Sequence, residues 1–269
     1  MMSSLKALIV RPMMSYIHAQ KCKAKSEQEI RCLPVLCDRN RDSLDIGANG
    51  GNFAYFILKY SRSVHAFEPI AALVGHLRRR FPSRVTVYHM ALSSQSGVAE
   101  LSIPVVDGHK LFGLSSLDFN GGDGTEQFSQ ERVPLRRLDD VFDGDAGFIK
   151  IDVEGHEVPM LKGAKRTISR CRPAMLVEAS ERQYPGSVEQ LKSALEDLGY
   201  DGWFAQGGEI HALAGYAPSS RKDISLAQLA DRHYLATHEK YVSNFICLPK
   251  ERTVEFLPRL KAALADTLR

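Results

Sequence analysis

Three features of the sequence predict an α/β fold built on a mostly parallel sheet. From Ser43 onward, short apolar runs alternate with amphipathic stretches, the pattern of successive strand–helix–strand units. The first apolar run, SLDIG, turns through the glycine-rich segment ANGG into a helical pattern. A later run, FIKIDVEGHE (Phe148 to Glu157), ends in Asp152, Glu154, His156 and Glu157, groups that are costly to bury unless something pairs with them.

The length of 269 residues suits one domain of this class with some elaboration. Residues 1–40 read as an N-terminal helical extension with a polar middle, QKCKAKSEQEIR, and no chemical motif. The domain proper is expected over 41–250, with strands at SLDIG, VHAFEP, RVTVYHMAL, FIKIDVEG and PAMLVEAS. Helical patterns fall at Asn52–Tyr60, Ile70–Arg80, His156–Ser169 and Ser187–Leu198, the last with Ser187 as its cap and Gly199 as its stop. About 97–135 reads as an inserted hairpin or edge, and 215–241 as a second, polar insertion before the final strand, NFICLP. Long loops in a compact domain are commonly lids or substrate-contacting segments. Residues 251–269 read as a C-terminal helix.

The formal charge of +3 is too weak to argue for nucleic acid, and Arg78, Arg79 and Arg80 read as a solvated helix end. The five cysteines have neither zinc-site nor disulfide spacing, which points to reduced thiols and a cytoplasmic protein. The N-terminal run LKALIVRPMMSYI is broken by Arg11 and Pro12, so no integral membrane span or secretory signal is expected there.

The turn after SLDIG has a mechanism. Gly47 and Gly51 let the backbone come close to a ligand and take positive φ, and Asn49 tolerates the left-handed conformation. The helix that follows offers free N–H groups. The spacing is G-x-N-x-G after an acid, not the G-x-G-x-x-G of dinucleotide sites. Asp45 beside a pyrophosphate would set two anions together, whereas it suits an amino group such as the methionyl end of S-adenosylmethionine. Glu68, at the end of VHAFEP, stands where an acid accepts hydrogen bonds from both ribose hydroxyls, with Pro69 and Ile70 beside the adenine. A packing turn at Gly47–Gly51 and a plain salt-bridge role for Glu68 are the simpler alternatives.

With DIGANGG, AFEP and FIKIDVEGHEVPMLKGA in this order, the chain resembles the FkbM-type S-adenosylmethionine-dependent methyltransferases from about Leu44 to Pro249. MALSSQSG, FGLSSL, LRRLDDVF and RPAMLVE continue the likeness, and IKIDVEGHE is its most specific part. The resemblance implies a class I methyltransferase fold: a Rossmann-like, seven-stranded, mostly parallel sheet with an antiparallel last strand and helices on both faces. It implies S-adenosyl-L-methionine as cofactor, with Asp45, Gly47, Asn49, Gly51, Glu68, Pro69, Ala91 and Asp152 around it. It further implies transfer of the methyl group to a hydroxyl of a small molecule, a sugar or glycan, or a secondary metabolite.

Ligands of such sheets bind beyond the carboxyl ends of the strands, so the acids after FIKI border the transferred methyl. Asp152 is the first candidate to orient the acceptor or touch the methionyl part, and Glu154 and His156 compete as base. Glu157 and Pro159 suit a helix start. Glu178, Ser180 and Glu181 do not make the Asp–Asn pair of a magnesium site, so no metal is expected. The rivals are an NAD(P)-dependent oxidoreductase, disfavoured by the turn spacing, and a non-catalytic binding module of the same fold.

Overall fold

The computed structural model describes residues 28–81, 83–118, 127–180, 185–217 and 242–265. The expectations for residues 1–27, for 119–126 of the inserted segment, for Glu181, for 218–241 and for the last four residues fall outside them. In chain order the strands are β1 (Asp42–Ile46), β2 (Val64–Glu68), β3 (Val85–His89), β4 (Ala91–Leu92), β5 (Gly97–Val106) and β6 (His109–Lys110). They continue as β7 (Gln127–Arg136), β8 (Ala146–Ile151), β9 (Ala174–Glu178), β10 (Tyr200–Gln206), β11 (Glu209–Ala212) and β12 (Asn244–Pro249).

The main sheet has the order β11-β10-β12-β9-β8-β1-β2-β3. From β3 to β9 the neighbours are parallel, and β12 runs antiparallel to both β9 and β10. The NFICLP strand thus runs antiparallel, as expected, and β11 at the edge shares its direction. The sheet has eight strands where seven were expected. After β10 the chain reverses at Gly207 and Gly208, both at positive φ, and β11 pairs back onto the edge. Glycine adopts this conformation without steric cost, which is what a tight hairpin needs.

Every residue of β1 and β8 is buried, as expected of central parallel strands covered on both faces. One face packs Phe148 and Ala66 against Phe53, Ala54 and Ile57 of the helix Asn52–Ile57. The other packs Ile46, Ile149 and Ile151 against Met160, Leu161 and Ile168. The predicted helix over His156–Ser169 is two helices, Glu157–Gly163 and Lys165–Cys171, meeting at Ala164. In the helix Ser187–Leu198 the cap is Gly186, at positive φ, and Ser187 is the first helical residue; Gly199 closes the helix in the left-handed conformation.

The inserted segment forms a second sheet, β4-β7-β5-β6, in which β5 and β7 pair antiparallel over most of their length. Its Leu101, Ile103, Val133 and Leu135 pack on Ile70 and Ala91, which fastens it beside the end of β2. β1 lies between β2 and β8, so chain order reverses there and a crevice opens beyond the carboxyl ends of β1 and β8. Among the described residues no helix is long and apolar enough to cross a membrane.

Candidate functional site

That crevice is a cleft of about 600 Å³, partly open to solvent. Its floor is the turn after β1. Gly47 sits at φ +77, and a Cβ there would fall 1.8 Å from the Asp152 carbonyl oxygen, so only glycine lets the two strand ends meet. The Asp152 N–H donates to the Ile46 carbonyl at 3.0 Å and closes the same junction. Asn49 follows at φ 47, in the left-handed region, with its own N–H donating to Glu68 Oε2 at 2.8 Å. The Ile70 N–H donates to Glu68 Oε1 at 2.9 Å. Each oxygen of this buried carboxylate thus has one backbone donor and keeps acceptor capacity for a ligand hydroxyl. Burial pushes the Glu68 carboxyl up to about 7, although both backbone donors favour the charged form.

Gly47, Asn49, Glu68, Pro69, Ala91, Asp152 and Glu154, all singled out from the sequence, line the cleft together. The inserted sheet and the FGLSSL stretch supply the facing wall through Leu101, Phe112, Gly113, Ser115 and Leu117. Glu154 stands at φ 52, a conformation rare outside glycine, asparagine and aspartate, with Gly155 after it at φ 97. The chain turns sharply between β8 and the following helix at these two residues.

Asp45, Gly51 and His156 are not in the lining. Asp45 is wholly buried within β1, and no hydrogen bond of normal geometry reaches either oxygen, the Ala54 N–H making only a weak approach. Burial pushes its carboxyl up to about 6, Lys150 opposing and Asp152 adding to the rise. Gly51 caps the helix Asn52–Ile57 at φ +78, and a Cβ there would meet Leu77 and Phe81 at 2.6 Å, so its smallness serves helix packing. His156 is 7% exposed, with Nε2 2.7 Å from Ser93 Oγ and Nδ1 paired with the Asp118 carboxylate. Glu157 is buried in the first turn of its helix and accepts the Gly155 N–H at 2.9 Å.

Lys150 belongs to the site although FIKI reads as an apolar run. This lysine is 3% exposed near the carboxyl end of β8, with Nζ 2.7 Å from Asp152 Oδ2 and 4.8 Å from the centre of the Phe53 ring. Burial opposes its charge, but Asp152 and Asp45 outweigh that and hold its pKa above the ordinary lysine range. Asp45 is its direct register partner on β1. The available signal was the period of two, which puts Lys150 and Asp152 on one face. Arg80, expected in solvent, instead turns back to donate to the Gly50 carbonyl and braces the glycine turn. Among the described residues no set of three His, Cys, Asp or Glu side chains converges for a metal.

A mostly parallel sheet in which β12, inserted between β9 and β10, runs antiparallel to both, with a cleft at the strand ends around a buried acid, defines a class I methyltransferase fold. The chain belongs to the FkbM methyltransferase family: the model of the methyltransferase FkbM domain matches residues 45–201. Among solved structures the chain is similar to the methyltransferase FkbM from Methylobacillus flagellatus KT, at 22% identity and TM-score 0.46. That alignment covers 63% of this chain but only 40% of the other, so the chain spans two fifths of that protein. An rRNA methylase from Streptococcus thermophilus aligns at 8% identity and TM-score 0.43, over 82% of this chain and 93% of its own. Precorrin-6y C5,15-methyltransferase from Geobacter metallireducens GS-15 aligns at 14% identity and TM-score 0.43, over 82% and 86%. No curated protein matches the chain.

Proposed function

We propose that the chain is an S-adenosyl-L-methionine-dependent O-methyltransferase acting on a hydroxyl of a sugar, a glycan or a secondary metabolite. The observation that carries this reading is the charge of the cleft. Its lining contains Glu68, Asp152 and Glu154 and, among the described residues, neither Lys nor Arg. A pyrophosphate would meet these three acids, and the buried Lys150 behind them is already engaged by Asp152 and Asp45, whereas a ligand with an ammonium and a sulfonium group is attracted. The remaining acceptor capacity on both oxygens of Glu68 suits the two ribose hydroxyls, and the bare Gly47 suits close approach of a ligand.

In this reading Glu68 holds the ribose, Pro69, Ile70, Ala91 and Leu92 wall the adenine, and Asp152 faces the methionyl ammonium. The bound cofactor supplies an electrophilic methyl group on a positive sulfur. The chain's own residues orient the acceptor oxygen, exclude water and take its proton. Glu154 is assigned to the proton, because it borders the cleft on a sharply turned backbone whereas His156 lies outside the lining.

The experiment is a screen with methyl-labelled S-adenosyl-L-methionine against glycans, lipids and polyketide-like alcohols. Label recovered in an alkali-stable methyl ether supports oxygen as the acceptor. Label recovered only on nitrogen or carbon refutes it.

A further inference from the structure

We infer that His156 is a positioning residue that fastens the loop Phe112–Asp118 over the cleft. The loop touches the β8–helix junction at two places. Ser116 Oγ donates to the Glu154 carbonyl at 2.6 Å and itself accepts the Asp118 N–H at 3.1 Å. Asp118 then pairs with Nδ1 of His156. On its other side the loop joins the inserted sheet, where Ser102 and Ser116 exchange two backbone hydrogen bonds of 3.0 Å. Phe112, Gly113, Ser115 and Leu117, which this clip holds in place, are cleft wall.

The imidazole is anchored from behind. A carboxylate only accepts, so Nδ1 carries the proton toward Asp118 and the Ser93 hydroxyl donates to Nε2 at 2.7 Å. Ser93 follows β4 directly and is 3% exposed. The helix that begins after His156 ends at Gly163, where a Cβ would lie 1.9 Å from the Ser93 carbonyl oxygen. One helix therefore grips Ser93 at both ends, through a side chain at its start and by direct backbone contact at its finish. His156 joins three segments: the end of β4, the loop and the β8 junction.

Ser93, His156 and Asp118 stand in the donor order of a hydrolytic triad. A nucleophile needs a reachable carbonyl beside it, and the buried Ser93 is outside the cleft lining, so the arrangement fixes position. The consequence for ligand affinity rests on the methyl-donor reading of the cleft; the fastening itself does not.

The test is hydrogen exchange of the ligand-free full chain, read by mass spectrometry on peptides covering 109–118, beside calorimetry with S-adenosylhomocysteine. Asp118→Ala and His156→Ala are expected to speed exchange at the Ser116 amide about tenfold each, the scale of one lost charge-assisted hydrogen bond. The double variant is expected to be no faster than either single one. His156→Asn, which keeps a donor at the Nδ1 position, is expected to restore most of the protection. Amides of β1 and β8 serve as the control for general loosening. Unchanged exchange in Asp118→Ala, or single effects that multiply in the double variant, would overturn the proposal. Should His156→Ala not fold, Asp118→Ala alone decides, since its side chain is 37% exposed. Absence of S-adenosylhomocysteine binding by the wild type would sink the cofactor reading and leave the exchange result to judge the fastening.

Discussion

Lys150 Nζ lies 2.7 Å from Asp152 Oδ2, an ion pair between residues two apart on one face of the buried central strand. The lysine is enclosed, the aspartate reaches the cleft, and Asp45 stands across from the lysine on β1. Two carboxylates thus share one cation beneath the site, which leaves this floor with net negative charge.

Removing that cation strands buried anions. Lys150→Met is expected to cost about 3–5 kcal/mol, the range for breaking a buried pair from one side. Urea unfolding measures it. A loss under about 1 kcal/mol, typical of exposed pairs, would show that the carboxylates are solvated in a way the packing does not indicate.

Glu157 gives stability a pH dependence of defined sign. Its carboxyl rises from an ordinary 4.5 to about 7, burial being the main cause. The folded chain keeps this proton where the unfolded chain has released it. The contribution is therefore full below about 4.5 and is lost as pH rises through about 7. Glu157→Gln still offers an acceptor to the Gly155 N–H and has no charge to bury. Its stability relative to wild type is expected to rise between about pH 5 and about pH 8, by up to about 3 kcal/mol, in unfolding titrations at both ends. A difference that ignores pH would contradict this.

Gly47 and Gly50 stand three residues apart in one turn yet differ in constraint. Gly47→Ala places a methyl group 1.8 Å from the Asp152 carbonyl oxygen at φ +77, while the Cβ of Gly50→Ala meets nothing within 4 Å. The first is expected to cost about 1–3 kcal/mol of stability and to weaken S-adenosylhomocysteine binding at least about tenfold. The second is expected to leave both nearly unchanged. Thermal unfolding with ligand titration compares them, and equal effects would remove the close approach as the reason for glycine.

Much of this site was legible in the sequence because it follows from strand ends and turn chemistry. Asn49 reads as a left-handed residue and adopts that conformation; Glu68 reads as a strand-end acid and points into the cleft. Depth was not legible. Asp45 stands only two residues before Gly47 but lies within the central strand β1, where the packed layers cover it completely, and Gly51 faces Leu77 and Phe81 across a helix. His156 lies beyond the strand, where its direction depends on a helix start and on partners as far away as Ser93. Lys150 escaped notice because FIKI reads as an apolar run. The eighth strand was signalled only by the Gly207–Gly208 pair before EIHA.

Glu68 also supplies the most direct measurement of the central claim, that this cleft binds S-adenosyl-L-methionine. Ribose hydroxyls donating to the carboxylate favour its charged form, and its carboxyl in the free chain lies at about 7. Binding should therefore release a proton, so affinity rises as pH increases through about 7 and levels off above it. Calorimetry with S-adenosylhomocysteine and with NADH, in buffers of different ionisation enthalpy, reads affinity and proton release together. We expect saturable S-adenosylhomocysteine binding with proton release in wild type, weaker and pH-independent binding in Glu68→Gln, and no NADH binding. Saturable NADH binding, or no heat with S-adenosylhomocysteine at any pH, would contradict the claim.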